Sequence, residues 1–206
     1  MPKNESPLSA LNSFLPQGSF EGVASYLQQY KVHLTISKER QTILGNYRNK
    51  VQDKNHRISV NGNLNKYSFL ITLLHELAHL LAHEKYGHKI QPHGKHWKEE
   101  YGKILSEFIP KNIFPVDIQK LLLANLHNAA ATTCAEPGLQ RALKKYDIKK
   151  EGYFLVEELP EGSLFTVHSG AVFKKGERIR KRFKCMEVAT KKLYLFSPVY
   201  EVALVK

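Results

Sequence analysis

Apolar positions recur along this chain at different spacings, and the spacing changes mark its elements. Leu8 to Leu15 has room for one or two helical turns before Pro16 and Gly18. Val23, Ala24, Leu27 and Tyr30 then recur at helical intervals, which predicts a helix through about Gln29 with Ser19 as its cap. Alternation takes over in 32–37, 42–48 and 56–61, with polar connections at 38–40 and 49–55. These segments predict a small antiparallel sheet. The run from Phe69 to Ala82 is mostly Leu, Ile, Ala and Thr and predicts a helix, capped by Asn65 or Ser68 and stopped at Tyr86-Gly87. A helical period returns at Trp97, Tyr101, Ile104, Leu105 and Phe108, and Pro110 ends it. Residues 116–126 suit a further short helix, whereas 128–133 has no apolar period and reads as linker.

The remainder reads as strands. Segments 153–156, 164–167, 171–173, 178–188, 192–196 and 199–205 are apolar or alternating, punctuated by Gly152, Gly162, Gly170, Gly176 and Pro198. The fold class is therefore α+β. The expected division is a mixed domain over 1–127, a linker or helical connection over 128–150, and a small basic all-β domain over 151–206.

Charge sharpens this division. The 206 residues carry a formal net charge of +12. Residues 141–206 hold 15 Lys and Arg against 8 Asp and Glu, so the smaller part carries more than half of the excess. Such an excess points to a polyanionic partner, most commonly nucleic acid. Two cysteines, Cys134 and Cys185, make neither a disulfide framework nor a Cys-x-x-Cys site, which fits a reducing compartment. Residues 1–10 lack the apolar segment of a signal peptide, and no apolar stretch approaches 18 residues. The expectation is a cytoplasmic protein without a membrane partner.

The chemistry concentrates in 75–96, which holds six of the ten histidines. His75-Glu76-Leu77-Ala78-His79 puts two imidazoles one helical turn apart, so both can chelate one zinc ion at about 2.0–2.1 Å. Glu76, one step round, is placed to act as general base on a zinc-bound water rather than as a ligand. Polar His and Glu on so apolar a helix are costly unless something satisfies them, and a metal would. His83 lies about 12 Å along the axis from His75, in a row too straight for tetrahedral zinc. The third ligand then comes from beyond Gly87, where His88, His93 and His96 are the candidates. Pro92 stiffens the approach to His93, and Gly94 lets backbone pass close to a metal.

The His-Glu-x-x-His run, the loop after it and Pro92-His93-Gly94-Lys95-His96-Trp97 together resemble the SprT-like (Spartan-like) zinc metalloprotease domain over roughly residues 15–125. That resemblance implies a zincin-like minimal metalloprotease domain with one Zn2+ site. It implies that His93 is the third ligand beside His75 and His79, that Glu76 is the general base, and that Trp97 is a packing aromatic. It also implies protein substrates bound or crosslinked to DNA. Members of the family often end in a zinc ribbon with two Cys-x-x-Cys pairs. Only Cys185 remains in the corresponding part of this chain, so the tail is either a degenerate ribbon held by apolar packing or an unrelated small barrel.

The densest basic stretch is 173–184. Read as a hairpin strand, it places Arg178, Arg180 and Arg182 on one face and Ile179, Lys181 and Phe183 on the other. With Lys174, Lys175 and Lys184 it is the candidate contact for DNA, single-stranded or with single-stranded character. The functional expectation is a zinc endopeptidase. Its rival is a non-catalytic DNA-binding or scaffold protein with a structural zinc centre. His96, Tyr86 and Tyr101 are the candidates for stabilising an oxyanion.

Overall fold

The computed structural model describes residues 6–40, 42–51, 54–126, 136–148 and 150–205. The linker expected at 128–133, and Cys134, lie outside them. The chain forms two compact units, one reaching to Asp147 and the other starting at Ile148.

The first unit is built around one helix. A 3-10 turn, Leu8–Ser13, and α1, Phe20–Gln29, precede strands β1, His33–Ser37, β2, Gly45–Arg48, and β3, Arg57–Asn61. Helix α2, Lys66–Tyr86, follows, with Asn65 as its cap: the side-chain oxygen accepts from the backbone N–H groups of Tyr67 (3.1 Å) and Ser68 (2.9 Å). Gly87, at φ 77°, ends it where a side chain would be strained. Unlike an amphipathic surface helix, α2 is covered on nearly every side along its middle. Phe69, Leu70, Ile71, Leu73, Leu74, Leu77 and Leu80 are all fully buried. Ile58 and Val60 of β3 join the same core, as do Trp97, Ile104, Leu105 and Phe108 of α3, Lys95–Phe108. Ile118 and Leu122 of α4, Val116–Asn125, complete that wall.

The sheet differs from the expected antiparallel one. Its order is β1-β3-β2; β2 pairs antiparallel with β3, but β1 runs parallel to it, His33 opposite Arg57 through Ser37 opposite Asn61. The chain leaves β1, passes to the far edge as β2 and returns between the two as β3. That crossover makes β1 and β3 parallel and leaves β2 at an edge of the sheet.

Residues 137–144, expected only as part of a connection, form helix α5, Pro137–Lys144. Leu139, Ala142 and Leu143 bury its inner side in the core shared with α2. Asn65 Nδ2 donates to the Leu143 carbonyl at 3.1 Å, so the residue that caps α2 also ties down α5.

The second unit is a six-stranded antiparallel sheet of order β4-β9-β5-β6-β7-β8. Its strands are β4, Tyr153–Leu155, β5, Leu164–Thr166, β6, Val172–Ile179, β7, Arg182–Glu187, β8, Leu193–Phe196, and β9, Glu201–Leu204. Val156, Phe165, Phe173, Cys185 and Val202 make its core. Phe196 closes it, edge-on to Phe165 with ring centroids 5.3 Å apart. Cys185, fully buried, serves here as a small apolar residue.

Candidate metal centre

Helical spacing brings His75 and His79 to one side of α2, with their Nε2 atoms 3.2 Å apart. The third imidazole comes from the connection to α3. His93 Nε2 lies 3.0 Å from each of the other two. Three nitrogens at these separations fit about a common point at roughly 2.0–2.1 Å, the zinc–imidazole distance. Mutual hydrogen bonds do not account for the arrangement well, because lone pairs of three neutral rings aimed at one point repel unless a cation sits there. Among the described residues these three form a group able to hold a metal ion.

Local backbone sets up the third residue. His93 has φ 59°, a left-handed conformation uncommon for a non-glycine residue and often found at functional positions. The next residue must be small: a Cβ on Gly94 would lie 2.9 Å from the Gln91 carbonyl oxygen, which accepts from Gly94 N–H at 2.9 Å. Gly94 thus makes room for this tight turn, whereas the sequence suggests it makes room for the metal.

Trp97, fully buried, backs all three rings, with centroid distances of 4.6 Å to His75, 4.8 Å to His93 and 5.4 Å to His79. Tyr101 stacks behind it at 4.9 Å. The other candidates turn away. His88 pairs with His83 at 4.8 Å, and His96 stacks on Tyr86 at 4.0 Å. Tyr86 itself donates to Glu99. Neither His96, Tyr86 nor Tyr101 lines the cleft beside the three imidazoles.

Burial gives the site its electrostatics. His75 is pushed down to about 2 by desolvation and then by the neighbouring His79 and His93. Desolvation and His93 bring His79 down to about 4. His93 is lowered by burial as well. All three are neutral at pH 7, as metal ligation requires. Glu76, 6% exposed, is pushed up to about 7 by burial, against the opposing pull of the Tyr47 backbone N–H and the Arg40 charge. His75, Glu76, His79 and His93 all line one cleft of about 630 Å³.

The sequence pattern of the SprT-like family matches residues 8–118, more than half of the chain, including all of α2 and His93. The chain belongs to the SprT-like family. Membership marks this stretch as a metalloprotease-like domain. Two proteins named Protein SprT, from Pseudomonas fluorescens strains SBW25 and Pf-5, are each 56% identical to it over 27 residues. That match covers 13% of this chain and spans 16% of theirs. No solved structure gives a significant match.

Two features of the SprT-like domain escape sequence reasoning. The first is Gly45 on β2, where a Cβ would meet Glu76 Oε1 at 2.6 Å and Thr72 Cγ2 at 2.7 Å. The second is Asn61, 1% exposed, whose Nδ2 donates to the carbonyls of Arg40 (2.9 Å) and Ile43 (3.2 Å) while its Oδ1 accepts from Arg40 Nε (2.8 Å). Asn61 thereby holds the segment that carries Ile43 and Leu44 to the rim of the cleft. A glycine or asparagine in a strand carries no such signal by itself.

The basic stretch of the second unit is arranged differently from expectation. Arg180, at φ 53°, occupies the turn between β6 and β7, so it shares neither strand face. Register places Arg178 opposite Phe183, on the side facing the core, and Arg182 opposite Ile179 on the outer side. Arg178 Nε folds back to the Arg180 carbonyl at 3.3 Å. A register shift between Lys175 and Arg178 breaks the simple alternation. Lys175 is also not a surface cation. It is 5% exposed, donates to the Leu159 carbonyl and sits 4.1 Å over the Phe183 ring. The cations left on the outer face are Lys174, opposite Met186, and Arg182 and Lys184 on β7.

Among the described residues no helix is long and apolar enough to cross a membrane.

Proposed function

We propose that this SprT-like chain is a zinc-dependent endopeptidase acting on proteins bound or crosslinked to DNA. The carrying observation is Glu76, a buried carboxylate lining the same cleft as three converging imidazole nitrogens. His75, His79 and His93 would hold zinc through their Nε2 atoms. Zinc so bound supplies Lewis acidity, lowering the pKa of a water ligand to about 7 and polarising a carbonyl.

The other steps belong to the chain's own residues. Burial holds the Glu76 carboxyl near neutral pKa, so it can accept a proton from water and deliver it to the departing amine. Strand β2 positions the peptide. The Leu44 carbonyl accepts from Asn61 N–H inside the sheet, so alternation turns the N–H and C=O of Gly45 toward the open edge beside Glu76. An extended substrate adds to such an edge through main-chain hydrogen bonds.

The DNA part of the proposal rests on the family resemblance and on the cation excess. The outer face bearing Lys174, Arg182 and Lys184 is the surface that fits a phosphate backbone best.

The test is cleavage of casein and of a DNA-bound protein by the zinc-loaded chain, with and without single-stranded DNA. Cleavage that is lost to a chelator, restored by zinc and raised by DNA is expected. A zinc-replete chain that cuts neither substrate contradicts the proposal and leaves the scaffold reading in its place.

A further inference from the structure

Three pieces of chain bound the cleft. Ile43 and Leu44 come from the segment entering β2, Pro92 from the connection between α2 and α3, and Gln140 from α5. Helix α5 lies beyond residues 8–118, so the family pattern does not supply this third wall.

The helix is firmly placed. Glu136 caps it, its carboxylate accepting from Gly138 N (2.9 Å) and Leu139 N (2.6 Å). Leu139, Ala142 and Leu143 are buried, and just past its end Tyr146 donates to Asp117 of α4 at 3.0 Å. Gln140 is only half-buried, and its side-chain amide bonds to none of the described residues. A primary amide with no partner among the described residues therefore borders the cleft that holds the imidazoles. Among the described residues Glu76 is the only acidic one lining that cleft, and no Lys or Arg lines it.

We infer that α5 forms the third wall of the substrate cleft and that Gln140 selects the substrate side chain lying against it. The selected class is an uncharged side chain with an apolar stem and an amide or hydroxyl head. The stem packs on the apolar rim of Ile43 and Leu44. The head replaces the water that the Gln140 amide gives up. A purely apolar side chain would bury that amide unpaired and bind about 5- to 150-fold more weakly. A charged one would lose hydration without gaining a counter-charge from Gln140, Ile43 or Leu44. The selection rests on the peptidase reading; the position of the wall does not.

The test uses the zinc-loaded full chain and fluorescent decapeptides that differ at one position at a time. Binding is measured by anisotropy in the Glu76→Gln background, where turnover is expected to be about 10²–10⁴-fold slower, and cleavage is measured in the intact background. Gln140→Glu installs an anion on a half-exposed helical surface and should leave the unfolding temperature unchanged. At one substrate position it should tighten binding of lysine peptides about tenfold, with a parallel gain in kcat/KM. Gln140→Leu should shift the preference at that same position from amide or hydroxyl heads to Leu and Met. An unchanged profile in both folded variants overturns the inference, as does a chain that binds no peptide. Peptides that bind with the expected shift but are never cut leave the wall in place and defeat the peptidase reading instead.

Discussion

Gly45 and Glu76 share one small volume: the missing side chain of the first is the room that the carboxylate of the second occupies. A Cβ at position 45 would lie 2.6 Å from Glu76 Oε1 and 2.9 Å from Glu76 Cγ. The edge strand and the helix thus approach at the one residue that lets a buried carboxylate lie between them, with Tyr47 N–H as its backbone partner. Gly45→Ala should lower stability by about 1–3 kcal/mol, the usual cost of overpacking a filled site. Because Glu76 must move while the three imidazoles need not, cleavage should fall at least about tenfold with zinc content unchanged. Thermal unfolding, metal analysis and kcat/KM on one sample check this, and full activity in the variant would show that Glu76 does not depend on that space.

A second prediction concerns acid. His56, 2% exposed, places Nδ1 3.0 Å from the Tyr47 hydroxyl and Nε2 3.4 Å from Glu84 Oε1. Its pKa lies below the ordinary histidine value, chiefly through burial, although Glu84 pulls the other way. A base held neutral in the fold but free to protonate when unfolded adds stability above its unfolded pKa of about 6.5, and that stability is lost as pH falls. The wild-type unfolding temperature should therefore drop between about pH 6.5 and 5, and His56→Gln should drop less steeply. Equal slopes would assign the acid sensitivity to other groups.

The third prediction separates cations that the sequence groups together. Lys174, Arg182 and Lys184 lie on the outer face of the second unit, whereas Arg178 lies on the other side and Arg180 in the turn. If single-stranded DNA runs along that outer face, reversing the three charges to Glu should reduce the slope of log K against log salt by about 2. The Arg178→Glu, Arg180→Glu pair should change it by less. Fluorescence titration of an oligothymidine at several salt concentrations reads both, and the opposite ranking would move the contact to the turn.

Much of the centre is legible in the sequence because it depends on local spacing. The His75–His79 interval, the Asn65 cap and the stop at Gly87 all follow from neighbours within a turn or two of one helix. His93 is different: its own residues leave it level with His88 and His96, and the family resemblance singles it out. What stays hidden depends on contacts between distant residues. The parallel pairing of β1 with β3 follows from a crossover, and the fit of Gly45 to Glu76 joins different elements. Gln140 reaches the cleft only because α5 docks on the core. Alternation also misplaces the arginines, because the two-residue turn at 180–181 puts Arg178 and Arg182 on opposite faces and the irregularity before Arg178 takes it off the face of Lys174.

The central claim is that three imidazoles and one non-ligating carboxylate form a hydrolytic centre, and Glu76→Gln tests it most directly. The substitution nearly preserves shape while removing the base. The account predicts one zinc per chain in both proteins and a loss of cleavage of about 10²–10⁴-fold in the variant. A variant that binds zinc and still cleaves at the wild-type rate would contradict it.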